Sequence, residues 1–448
     1  MAPEDYARRR AELARLMGEN AIAILPGAEP RPRNRDTEYP FRQDSDFAYL
    51  TGFPEPEAVL VLAPGRREGE FVLFCRDRDA DREIWDGRRA GPEGAQRDYG
   101  ADEAHPIERL DEVIVTLLAG RDEIYYSFGY NASFDQRMTS WLNQLRGKQR
   151  AGIRPPRGFM ALDQLLHEMR VIKSEAEIAV MQRSADIAAA AHRRAMGVCR
   201  PGIHEYELEA EFLYTFRRHT AVPSYPPIVG AGANGCILHY IENSSVVRDG
   251  DLVLIDAGAE YDLYASDITR TFPANGRFSA AQRELYDVVL EAQLAALKQI
   301  QPGTPYNDVH MAAVEAITRG LRSLGILQGE PAKLIESEAY KPFFMHRTGH
   351  FLGMDVHDVG SYKVGGEWRE LEAGMTLTVE PGVYIRAGAE GVDKRFWDIG
   401  IRIEDDVLVT TAGPRVLSAG VPKDADAIES LMAAGVQPVD RAGASATA

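Results

Sequence analysis

Cysteine is scarce. The 448 residues hold three, Cys75, Cys199 and Cys236, far apart and with no CxxC pair. That excludes a disulfide framework and a thiolate zinc site, and it makes a reducing, cytoplasmic location the expectation. Long hydrophobic runs are missing too: no stretch approaches the roughly 18 uncharged apolar residues that a membrane span needs. The opening MAPEDYARRRAELARLMG is charged throughout and has no apolar h-region, so no signal peptide is expected. Positive charge is in deficit, with 51 Lys and Arg against 68 Asp and Glu for a net −17. Such a balance speaks against nucleic acid or an anionic membrane as partner.

What is present is ordinary globular material, 45% hydrophobic, in a chain long enough for two or three domains. Residues 5–18 carry apolar positions at helical spacing. AIAIL, AVLVLA (58–63), EFVLFC (70–75) and EIYYS read as strands, and 107–120 and 133–147 as helices. This alternation predicts an α/β N-terminal domain with a mixed sheet over residues 1–172. Ser174 to Glu177 form a capping box that opens a long helix. A second helix at 204–219, strands near 227–231, 252–259 and 262–272, helices near 279–300 and 306–325, and a mostly stranded segment 343–410 follow. The order suggests an α+β domain over 173–435 with an internal duplication. Residues 436–448, rich in Ala, Gly, Ser and Thr, are expected to be disordered.

Five residues in that second domain stand out: Asp256, Asp267, His350, Glu380 and Glu404. LVLID (252–256) is a buried-strand pattern ending in a carboxylate. Ala257-Gly258-Ala259 permits close backbone approach, a turn at Tyr261-Asp262 follows, and a returning strand carries Asp267. HRTGHFLGMDVHDVG holds His346, His350 and His357, three of the chain's ten histidines, in a glycine-broken segment. LEAGMTLTVEPGVY ends a strand at Glu380 before the stop Pro381-Gly382. In DIGIRIEDD, Arg402 and Glu404 share a strand face. ANGCILHY (233–240) contributes His239, a weak signal alone. An N-cap or a surface ion pair would be the ordinary reading of any one of these carboxylates. Buried together they are costly unless metal-bound. An oxygen-rich set with one imidazole suits two divalent cations, and four carboxylates balance their four charges, leaving room for a bridging hydroxide.

This ordered set resembles the dinuclear site of the pita-bread metallohydrolases, which include methionine aminopeptidase, prolidase and aminopeptidase P. FRQDSDFAYLTGFPEPEAVLVL (41–62), EIWDGRR (83–89), HEMRVIKSEAEIAVM (167–181) and NGCILHY (234–240) extend the likeness over nearly the whole chain, toward the aminopeptidase P branch. The resemblance implies a metal-dependent aminopeptidase that cleaves between an N-terminal residue and a following proline. It implies two ions, Mn²⁺ with Co²⁺ or Zn²⁺ as alternatives. Asp267, His350, Glu380 and Glu404 would hold one, and Asp256 with bridging Asp267 and Glu404 the other. It further implies active-site roles for His239, His357, Arg402 and Glu380, substrate contacts from His346 and Tyr384, and a homodimer or homotetramer to which Trp85 contributes in trans. Arg347 departs from the family's usual glycine, and Gly349 from its common serine. Prolidase, which uses the same ligands on Xaa-Pro dipeptides, remains an alternative. So does a non-catalytic pita-bread peptide binder, although such relatives typically lack some of the ligands found here.

Overall fold

The computed structural model describes residues 1–435, and the tail expected to be disordered lies outside them. The described chain divides into two compact units, one of Met1–Met169 and one that begins at Arg170. The sequence placed that start at 173. Arg170 belongs with the second unit because its buried guanidinium donates to Asp358 at 2.6 Å.

In the N-terminal unit, six short strands make one mixed sheet in the order 103–106, 71–75, 59–62, 21–26, 123–125, 158–160. Ala21–Pro26 runs antiparallel to Val59–Leu62 and parallel to Glu123–Tyr125. Strands 21–26, 59–62 and 71–75 are near-continuous apolar runs buried along their length, as strands covered on both faces of a sheet require. Helices Leu110–Leu118 and Ala132–Gly147 bury Ile114, Leu118, Phe134 and Trp141 with Ile22, Val61 and Phe74. The indole N–H of Trp141 is satisfied by Asp111 Oδ1 at 2.7 Å, so the largest core side chain leaves no orphan donor.

The second unit repeats one theme twice. Helices Glu175–Val198 and Glu205–Arg218 accompany the antiparallel sheet 228–231, 252–256, 269–273. Helices Ala280–Lys298 and Tyr306–Ser323 accompany the antiparallel sheet 376–379, 405–410, 413–416. The expected capping box holds: Ser174 accepts from Glu177 N and Glu177 accepts from Ser174 N. Inner faces such as Val253, Ile255, Val289, Ile317, Val379 and Ile401 build one core that carries the polar residues at its edge.

Two local expectations are corrected. Segment 343–362 forms no strand, although 343–410 reads as mostly stranded. It instead lies along Thr376–Val379 through Thr378 N to His350 O at 2.9 Å and Glu380 N to Thr348 O at 2.8 Å. The approach is so close that a Cβ at Gly349 would sit 2.0 Å from the Thr378 carbonyl oxygen. The return after Asp256 is also interrupted. A small hairpin, Ala259–Tyr261 with Tyr264–Ala265, turns at Asp262 and Leu263, both at positive φ, before the main ladder resumes at Thr269. Asp267 therefore stands just ahead of the returning strand.

Candidate metal-dependent active site

Asp256 closes the strand Leu252–Asp256, where the ladder sets it opposite Thr269. Its neighbour Gly258 lets the Asp267 segment pass, since a Cβ there would lie 1.6 Å from the Ser266 carbonyl oxygen. Asp267 is held from behind, its backbone N–H donating to the buried Asp406 Oδ1 at 3.1 Å. Glu380 follows the strand Thr376–Val379, and Glu404 bridges Ile399–Arg402 and Asp405–Thr410. Four strand ends thus deliver four carboxylates to one place, because backbone ladders fix where each strand stops.

His350 Nδ1 donates to the Phe351 carbonyl at 2.9 Å. That bond commits the tautomer and turns Nε2 toward Asp267 Oδ2 at 3.4 Å and Glu380 Oε1 at 3.9 Å. One ligand atom each from Asp267, His350 and Glu404 lies within 4.8 Å of the others. Asp256, Asp267, His350, Glu380 and Glu404 all line a cavity of about 680 Å³, together with His239, His346, His357 and Arg402. Tyr384, 2% exposed, sits behind that wall. Trp85 lies on the helix Ala80–Asp86 of the N-terminal unit, 85% exposed.

The arrangement behind the carboxylates has a fixed polarity. His346 Nδ1 donates to the Arg347 carbonyl at 2.8 Å, so Nε2 accepts the Tyr384 hydroxyl at 2.9 Å. The Tyr384 oxygen in turn accepts Arg402 Nη1 at 2.8 Å. Arg402 Nη2 donates to Asp256 Oδ2 at 2.5 Å, and Nε to the Thr269 hydroxyl at 3.1 Å. That hydroxyl donates to Glu404 Oε2 at 2.6 Å. Arg402 therefore grips Asp256 directly and reaches Glu404 only through Thr269. Burial, reinforced by Arg402, pushes His346 down to about 3, which keeps it the neutral acceptor this chain needs.

The cluster's charges call for cations. Burial, then the Asp267 and Asp256 carboxylates, push Glu380 up to about 7 against the pull of His350 and Arg402. Burial and the same crowding hold Glu404 well above the usual carboxylate range. Burial opposes charge on His350, yet Asp267 and Glu380 outweigh it and raise it to about 9. Tyr225 Oη stands 2.5 Å from both Asp256 Oδ1 and Asp267 Oδ1, and one hydroxyl proton cannot serve both. These oxygens, with one oriented imidazole nitrogen, are the donor set of hard or borderline divalent ions, and they fit that group.

Nothing in the local sequence singles out Tyr225, Thr269 or Asp406. Tyr225 lies in SYPP, which reads as a turn, and Thr269 is an ordinary strand threonine. The only available signal was that Thr269 shares the short DIT stretch with Asp267.

Residues 179–411 match the family described as Metallopeptidase family M24, and residues 6–125 that described as Aminopeptidase P, N-terminal domain. The chain is 48% identical to the Xaa-Pro aminopeptidase of Escherichia coli (strain K12), over 96% of this chain and 98% of that relative. Its fold is similar to that of Pseudomonas aeruginosa aminopeptidase PepP, with a TM-score of 0.96, 57% identity, and 97% and 98% of the two chains covered. It is likewise similar to Escherichia coli aminopeptidase P in complex with substrate, with a TM-score of 0.94, 47% identity, and 97% and 99% covered. The chain belongs to metallopeptidase family M24, in its aminopeptidase P branch.

Proposed function

We propose that this protein hydrolyses the peptide bond between an N-terminal residue and a following proline, in peptides of the form Xaa-Pro-Xaa. The observation that carries the reading is the convergence of Asp256, Asp267, His350, Glu380 and Glu404 on one cavity that also presents His239, His346 and His357. The near-full-length likeness to an Xaa-Pro aminopeptidase supports it. Two divalent cations are the proposed cofactors, Mn²⁺ foremost, with Co²⁺ or Zn²⁺ able to use the same donors. Asp267, His350, Glu380 and Glu404 would hold one, and Asp256 with Asp267 and Glu404 the other. Such ions supply Lewis acidity and lower the pKa of bound water toward neutrality.

The side chains divide the remaining work. Glu380 moves the proton that must reach the prolyl nitrogen, a leaving group whose tertiary amide has no N–H of its own. His239 and His357 donate toward the oxygen that gains negative charge as the carbonyl is attacked. Arg402 orients Asp256 and, through Thr269, Glu404. His346, locked by Tyr384, borders the pyrrolidine ring. We further propose a homodimer or homotetramer in which exposed Trp85 serves a neighbouring copy; the exposure of a tryptophan on a helix with no buried residue supports it. A cytoplasmic location rests on three cysteines, none of them in a disulfide. No helix among the described residues is long and apolar enough to cross a membrane.

Parallel assays of Xaa-Pro and Xaa-Pro-Xaa peptides with added Mn²⁺ test the activity. Cleavage of the tripeptide after its first residue is expected. Turnover of the dipeptide alone would make the protein a prolidase, and no turnover by metal-loaded protein would make it a peptide binder.

A further inference from the structure

The cavity is lined by the carboxylates Asp256, Asp267, Glu380 and Glu404, and also by Arg347 beside Trp368. The Arg347 guanidinium lies 5.0 Å from the centroid of the Trp368 ring, and Lys363 Nζ lies 4.6 Å from the same centroid. Arg347 Nη2 donates to Asn307 Oδ1 at 2.7 Å. Among the described residues neither cation has a carboxylate partner. A guanidinium carries five donors in a planar fork suited to a carboxylate, and stacking on an aromatic ring fixes its plane before any ligand arrives. Arg347 is thus held in place with donors to spare, at an exposed position that none of the roles above requires.

A short peptide is itself dipolar, with an ammonium at one end and a carboxylate at the other. Its N-terminal residue must reach those carboxylates for cleavage to occur there. The residue after proline lies about 7 Å further along an extended chain. We propose that Arg347 is a specificity-determining residue that binds a carboxylate on the residue following proline. That carboxylate is either an Asp or Glu side chain or the free terminus of a tripeptide, and Lys363 adds to the attracting charge. This inference rests on the Xaa-Pro-Xaa activity proposed above.

The test compares kcat/KM in the metal-loaded, full-length protein for isosteric substrate pairs. Ala-Pro-Asp-amide against Ala-Pro-Asn-amide isolates the side chain, and Ala-Pro-Ala against Ala-Pro-Ala-amide isolates the terminus. At least one carboxylate peptide is expected to be favoured by about fivefold, carried by KM, with the preference shrinking as salt rises. Arg347→Gln should bring the ratio close to one, Arg347→Lys should retain part of it, and Lys363→Gln should reduce it less. A wild-type ratio near one in both pairs, or a ratio unchanged in Arg347→Gln, overturns the inference while leaving the aminopeptidase reading intact. No turnover of any of these peptides overturns both.

Discussion

Thr269 stands opposite Asp256 in the antiparallel ladder, and its buried hydroxyl links Arg402 to Glu404. One small side chain therefore joins carboxylates from two separate strand ends. Because it donates to one and accepts from the guanidinium, it keeps Glu404 oriented without adding charge.

Thr269→Val keeps the shape of this buried position and deletes the hydroxyl. Glu404 loses a donor and Arg402 an acceptor. Metal affinity or kcat/KM is expected to fall by about 10- to 100-fold, the usual cost of losing such a supporting partner. Metal titration beside steady-state kinetics checks it; wild-type values in both would show the link to be idle.

His357 packs edge-on against His350, ring centroids 4.3 Å apart, and lines the cavity without joining the tight ligand group. His357→Ala should lower kcat by about 10²- to 10⁴-fold with metal content near wild type. Loss of metal in the purified variant would instead make it a ligand or a scaffold for one.

Chelation should abolish activity, and Mn²⁺ should restore it. The folded cluster binds the ion far better than a disordered chain can, so Tm should rise with added metal. About 2.7 kcal/mol of stabilisation is expected at a free ion concentration near 100 times Kd. A Tm indifferent to metal across that range would contradict the site.

Asp358 supplies a pH-dependent element away from the ligands. It is buried with Arg170 at 2.6 Å and Lys173 at 2.8 Å. Burial alone would raise it, but Lys173 and Arg170 outweigh burial and hold it below the usual carboxylate value. A carboxyl whose folded pKa is depressed adds stability above its unfolded pKa of about 3.9 and loses it as pH falls toward the lower folded value. Asp358→Asn leaves the buried Lys173 without a carboxylate and Arg170 with Asp355 alone, and should cost about 3–5 kcal/mol at neutral pH. Urea unfolding at neutral pH and near pH 3 should show the gap between wild type and variant narrowing in acid. A constant gap would mean that charge is not what the aspartate contributes.

Much of the site was legible. Asp256 and Glu380 each end an apolar strand pattern, where a carboxylate is conspicuous because burial makes it costly. His350 was conspicuous for the glycines around it, but its segment does not form the strand that the residues suggested. It borrows ladder-like hydrogen bonds from Thr376–Val379, an interaction set by a partner some 28 residues away rather than by local periodicity. Tyr225 was not legible, since nothing in SYPP distinguishes a turn tyrosine from one whose hydroxyl meets two aspartates.

The sequence by itself determined the helix–strand alternation, the apolar faces and the residue types able to hold divalent cations, because periodicity and burial cost act through neighbours along the chain. Only the tertiary structure decided that Arg402 grips Asp256, that Thr269 couples it to Glu404, and that His350 presents Nε2. Those contacts join residues more than a hundred positions apart, or depend on which ring nitrogen a carbonyl engages, and short-range hydrogen-bond directionality is resolved only when the strands have packed.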